Sequence, residues 1–125
     1  MGSYADDALF MSRNNIEYVE LISDDGKSKV MVIPACPGRV MTTSAAGDEG
    51  DSYGWINYSF IKKRQIDLQF NPVGGEERFW LGPEGGVFSL YFRQGEKQIY
   101  KNWEVPPVLD IEAFKIQSQS KNCIC

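Results

Sequence analysis

Short apolar runs recur along the chain, and Gly, Pro, Asn and Asp break them at close intervals. That pattern predicts strands joined by tight turns. Residues 16–22 read as a first strand, rich in β-branched and aromatic side chains. Asp24-Asp25-Gly26-Lys27 follows as a turn, since Asp-Gly favours a hairpin. Lys29–Ile33 is the return strand, and Pro34 ends it because proline cannot donate to a ladder. After a Pro37-Gly38 turn signal, residues 38–44 start a third strand. Residues 46–53 form a polar, acidic loop. Residues 55–61 (WINYSFI) fit either a strand or a short helix. Residues 71–86 are dominated by turn formers. Residues 87–92 (VFSLYF) read as a strong strand, and residues 109–117 as another with partial alternation. Residues 117–122 look like the top of a hairpin, and only three residues follow them. A second strand missing there would leave an unpaired edge, a template for pairing with a second copy of the chain.

No apolar period of 3.6 persists over three turns. The expected class is therefore all-β: an antiparallel β-sandwich that the last hairpin leaves incomplete. Its expected organisation is a flexible N-terminal segment over 1–15, a single β domain over 16–122 and a tail over 123–125.

Composition narrows the chemistry. With 42% hydrophobic and 24% charged residues over 125 positions, one globular domain is expected. There is no histidine. A Ser-His-Asp or Cys-His nucleophile and a His-ligated zinc therefore cannot come from this chain. Thirteen Lys and Arg against seventeen Asp and Glu give a net charge of −4, the opposite of a phosphate-backbone binder. No nucleic-acid partner is expected. No apolar run approaches membrane-spanning length, so no membrane partner is expected either. The first seven residues lack the basic-then-apolar order of a signal peptide. Removal of a leader would still leave periplasmic and secreted compartments open. Cys36, Cys123 and Cys125 are too few and too scattered for a disulfide framework or a metal knuckle. Asp48, Glu49 and Asp51 lack the spacing of a calcium loop. No metal and no cofactor are expected.

The most informative segment is Gly74-Gly75-Glu76-Glu77-Arg78-Phe79-Trp80-Leu81-Gly82-Pro83-Glu84-Gly85-Gly86. Glycine pairs supply left-handed backbone or let another segment come close. Between them stand an aromatic floor, a guanidinium fork and three carboxylates. An aromatic face suits the C–H surface of a sugar, and bidentate polar groups suit its hydroxyls. The same residues also suit plain packing, with Arg and Glu paired and Trp80 filling a corner. A carboxylate pair could divide acid and base roles, but Glu76 and Glu77 are sequence neighbours and would point apart in an extended segment.

This string, preceded by PACPGRVMTTSA and GWINYSFI, resembles a group of bacterial proteins with a galactose-mutarotase-like (aldose-1-epimerase-like) β-sandwich. Gly38-Arg39 resembles that superfamily's Gly-Arg strand end. Gly74-Gly75, Trp80 and Pro83-Glu84 resemble its Gly-Gly turn, aromatic and Pro-Glu. The resemblance covers most of the chain and implies the N-terminal part of a longer sandwich with a sugar-related site. Mutarotases of that kind resemble one another in using histidines and a later glutamate, which this chain lacks. The expectation is thus non-covalent carbohydrate binding, with Arg39, Asn57, Glu77, Arg78, Trp80 and Glu84 as binding residues and none catalytic. The alternatives are a fragment of an aldose-1-epimerase-like enzyme, and an interaction domain with no sugar site.

Overall fold

A computed structural model of the protein describes residues 2–125. It holds a three-stranded antiparallel sheet in the order β1-β2-β3, with β1 at Val19–Ile22, β2 at Lys29–Ile33 and β3 at Arg39–Ser44. The turn after β1 uses Gly26 at φ 74°, where a side chain would be strained. Pairing runs from Val19 opposite Val32 to Ile22 opposite Lys29. Between β2 and β3 the register shifts at Met31 and Val32. A bulge of this kind adds local twist.

Met1 of the expected 1–15 segment lies outside the described residues, and residues 2–15 depart from expectation. They carry helix α1, Tyr4–Arg13, in place of a flexible segment. Ser3 accepts from the Asp6 amide at 3.2 Å, and Asp6 accepts from the Ser3 amide at 3.0 Å. This reciprocal cap satisfies two otherwise orphaned donors. Asp6 and Asp7 lie at the positive end of the helix and Arg13 at the negative end. The acidic loop also serves α1: the Gly50 and Asp48 carbonyls accept from the Tyr4 and Ala5 amides, each at 2.9 Å. The buried face is Tyr4, Asp7, Phe10 and Met11. A carboxylate thus sits within the apolar stripe, and it interrupts the period that would announce a helix.

Asp7 is 6% exposed and takes hydrogen bonds from the Ser52 and Tyr58 hydroxyls. Ser52 in turn meets the Thr42 hydroxyl of β3. The network ties α1 to the sheet and to α2, Tyr58–Lys63. Around it packs the first core cluster, Tyr4, Phe10, Met11, Met31, Ile33 and Met41. The 55–61 segment, open between strand and helix, resolves in favour of α2. Asn57 caps it by accepting from the Phe60 amide at 3.1 Å.

Burial, and then the neighbouring carboxylates Asp7 and Glu20 respectively, push the Tyr58 and Tyr4 hydroxyls well above the usual tyrosine range. The neutral phenols are therefore favoured in the fold. Their contribution to stability is complete below about pH 10, the unfolded tyrosine value, and is lost as pH rises through the folded values. Urea midpoints should fall steeply above pH 10, and Tyr58→Phe should flatten that fall. An equal fall in the variant would remove Tyr58 as a source.

The second half is less regular. Residues 87–92 form turns and bends, not the strand their composition predicts. Val87 and Phe88 are 89% and 82% exposed, and no neighbouring strand pairs with them among the described residues. Strand propensity is expressed only against a partner and a buried face. Residues 109–117 are not a strand either. Helix α3, Pro107–Asp110, occupies their start, with Pro107 in the first turn where its missing donor costs nothing. A 3-10 turn covers Tyr100–Asn102. Tyr91, Val105 and Leu109 form a second core cluster, with Phe70, Trp80, Phe92 and Trp103 packed against it. The final hairpin closes on itself: the Gln117 amide donates to the Cys125 carbonyl at 2.7 Å, and the Cys125 amide to Ser118 at 3.0 Å. Residues 123–125, expected as a tail, supply its return arm. The Lys121 carbonyl accepts from the Ile22 amide at 2.9 Å, which occupies part of the β1 edge.

Candidate binding cleft

The Gly74-Gly75 segment lies between β3 and the 55–57 stretch. The Gly75 amide donates to the Trp55 carbonyl at 2.7 Å, and the Glu76 amide to the Val40 carbonyl at 2.9 Å. Both glycines have strongly positive φ, 90° and 106°. These bonds place Arg78 above the second core cluster.

Arg78 donates through Nη2 to the Leu109 carbonyl and, at 3.2 Å, to Asp110 Oδ1. The Asp110 side chain is 3% exposed. Its other oxygen, Oδ2, accepts from the Asn71 backbone amide at 2.9 Å and from Asn71 Nδ2 at 2.7 Å. The guanidinium also lies 4.3 Å from the Trp80 ring centroid and 5.8 Å from that of Phe70. Such cation–π contact gains when desolvated. Trp80 stacks on Tyr91 at 4.9 Å and donates through Nε1 to Glu84 Oε1 at 2.7 Å. The Tyr91 hydroxyl donates to the Leu81 carbonyl at 2.6 Å.

Phe70, Arg78, Trp80, Glu84 and Trp103 together line a cleft of about 390 Å³. The fold therefore gathers three of the six sequence candidates: Arg78, Trp80 and Glu84. The other three stand outside the cleft. Asn57 spends its amide on the α2 cap and on the Pro72 carbonyl, the latter at 2.9 Å. Glu77 is exposed, with its backbone bridged to Val40. Arg39, the first residue of β3, is 7% exposed and donates through Nη1 to the Gly74 carbonyl at 2.7 Å. Glu76 is bound to the Thr43 amide and hydroxyl, so it is not free for acid–base work.

Phe70 joins the site without a sequence signal. Trp103 lines the cleft with it. Asp110, thirty-two residues beyond Arg78, is the anchor that sequence spacing does not disclose.

The profile of one family matches residues 2–125. The chain belongs to the family of unknown function DUF6786. No curated protein and no solved structure matches this DUF6786 chain. No helix among its described residues is long and apolar enough to cross a membrane.

Proposed function

We propose that this DUF6786 domain binds a carbohydrate non-covalently, on a β-rich scaffold that belongs to a galactose-mutarotase-like sandwich. The observation that carries the proposal is the cleft itself. Three aromatic rings, a guanidinium and a carboxylate converge on about 390 Å³, within the roughly 300–1,000 Å³ of small-molecule sites. The aromatic walls suit the C–H face of a pyranose. Glu84 accepts from hydroxyls, and Arg78 donates to them.

A sugar panel titrated against Trp fluorescence tests this. A saturable change is expected with at least one sugar. Glu84→Ala should weaken it roughly 10-fold or more, as for a hydrogen bond to a charged group worth about 1.5–3 kcal/mol. Glu84 is exposed, so the variant should melt with the parent. A flat response across the panel would sink the proposal.

A second reading rests on the Arg78–Asp110 pair, which is complete without any ligand. On that reading the cleft residues only pack, and the flat response is the expected result. The epimerase alternative predicts anomer interconversion above the spontaneous rate, measurable by NMR on added aldoses.

A further inference from the structure

A second cavity, of about 340 Å³, shares no lining residue with the aromatic cleft. Its open surface is almost wholly apolar, and five isoleucines wall it: Ile16, Ile33, Ile61, Ile66 and Ile111. Ile33 ends β2 and Ile61 lies within α2, while Ile16, Ile66 and Ile111 stand just beyond the ends of α1, α2 and α3. Ile66 is 69% exposed, so the fold leaves one wall of the cavity open to water. The polar groups deep in the wall are already spent. Asn71 Nδ2 donates to Asp110 Oδ2 and to the Asp67 carbonyl, each at 2.7 Å, and Asp110 Oδ1 accepts from Arg78. Burial holds the Cys36 thiol in the same wall above the usual cysteine range, so it stays neutral. No tryptophan or tyrosine lines this space to stack on a sugar. Its chemistry is that of branched aliphatic carbon, which favours hydrocarbon over water.

One charged group at the rim keeps donors to spare. Arg64 lines the cavity and is exposed. Its Nη2 donates to the Asn14 carbonyl at 3.1 Å, while Nε and Nη1 make no hydrogen bond among the described residues. It makes no ion pair among them either. Arg64 also holds the left-handed position that closes α2, at φ 50°. Glycine is the usual residue in such a cap, and a long side chain at that φ is uncommon. The bond to Asn14 holds the guanidinium over the stretch that leads to Ile16. Lys62 and Lys63 precede it, so the local field is positive. Gln65, next in the lining, adds amide donors.

We propose that this cavity takes the alkyl chain of a medium-chain carboxylate, with the carboxylate at the rim on Arg64. The proposal stands apart from the sugar reading. A volume near the lower end of the roughly 300–1,000 Å³ of small-molecule sites sets the chain at medium length. One unpaired guanidinium matches one negative charge.

The test follows the isoleucine methyl NMR signals of the full chain with acetate, butanoate, hexanoate, octanoate and octanol. The five lining isoleucines should move together and saturate, while Ile22 and Ile99, outside the cavity, stay still. Acetate should be silent. Each added methylene should tighten binding about fourfold, or about 0.8 kcal/mol. Octanoate should bind at least threefold more tightly than octanol, and Arg64→Gln should erase that margin while octanol binds as before. Should the variant fail to fold, high salt replaces it: screening of an exposed charge should shrink the margin in the unaltered chain. Affinity independent of chain length, or Ile22 and Ile99 moving as far as the five, would overturn the cavity as the site. Octanol matching octanoate would overturn the carboxylate assignment. Sugars that move the indoles while every alkanoate leaves the isoleucines still would end this proposal and keep the sugar reading. Saturable isoleucine shifts beside a flat sugar panel would do the reverse.

Discussion

Replacing Asp110 with alanine should cost about 3–5 kcal/mol, the usual loss when one partner of a buried ion pair is removed. The Asn71 backbone amide would be left without an acceptor, while Arg78 Nη2 would keep only the Leu109 carbonyl and Asn71 Nδ2 only the Asp67 carbonyl. Arg78 would remain largely buried, beside an Arg39 that makes no ion pair among the described residues. Domains of this size hold roughly 5–15 kcal/mol in all, so a large part of the stability goes with one side chain. The urea midpoint should drop accordingly, and the tryptophan emission should report the loss first, because Trp80 carries the Arg78 guanidinium. A change below about 0.5 kcal/mol, typical of surface substitutions, would show that Asp110 does not anchor the cleft.

Gly74→Ala should be nearly as damaging, at roughly 2–5 kcal/mol from backbone strain and overpacking together. Its φ of 90° is one that L-residues rarely adopt. The added Cβ would press into the Trp55 carbonyl oxygen and lie 3.1 Å from the Asn57 nitrogen. The 55–57 stretch, which caps α2 through Asn57, would have to move. Gly86→Ala is the control. It has the same φ of 90° but nothing within 4 Å of its Cβ, so it should pay strain alone, about 1–3 kcal/mol. Equal losses in thermal unfolding at the two positions would mean that the close approach of Gly74 adds nothing.

These two sites mark where local sequence suffices and where it does not. Gly74-Gly75 stands out as a pair that needs unusual backbone, and the structure gives both residues positive φ. The first hairpin was equally legible. Asp25-Gly26 sets the turn, and β2 falls on Lys29–Ile33 as its flanking Pro34 requires. Turn chemistry and short-range alternation act within a few residues, so one sequence window contains the whole cause.

Helix α1 shows the opposite case. Its Ser3–Asp6 cap was present in the sequence, but Asp7 stands where an apolar stripe would continue. Only the hydroxyls of Ser52 and Tyr58, brought from forty-five and fifty-one residues away, make a carboxylate tolerable at that position. Residues 87–92 erred in the other direction. Their β-branched and aromatic side chains express a preference that no adjacent strand among the described residues meets.

The candidate site divides along the same line. Arg78, Trp80 and Glu84 fall within seven residues of one another, so their common chemistry could be read from the string. Asn57 and Glu77 carried the right functional groups, but helix capping occupies the Asn57 side chain, and Glu77 stands exposed outside the cleft lining.

By itself, the sequence determined the β1–β2 turn, the third strand, the absence of imidazole chemistry and the residue types of the Gly-Gly segment. Each of these follows from local backbone preference or from composition. Tertiary structure alone decided that Asp7 is buried inside a helix face, that Asp110 anchors Arg78, that Phe70 walls the cleft with Trp103, and that Arg39 is buried with no ion pair among the described residues. Those outcomes depend on which distant groups share a low-dielectric space, where one hydrogen bond or charge made or missed outweighs any local propensity.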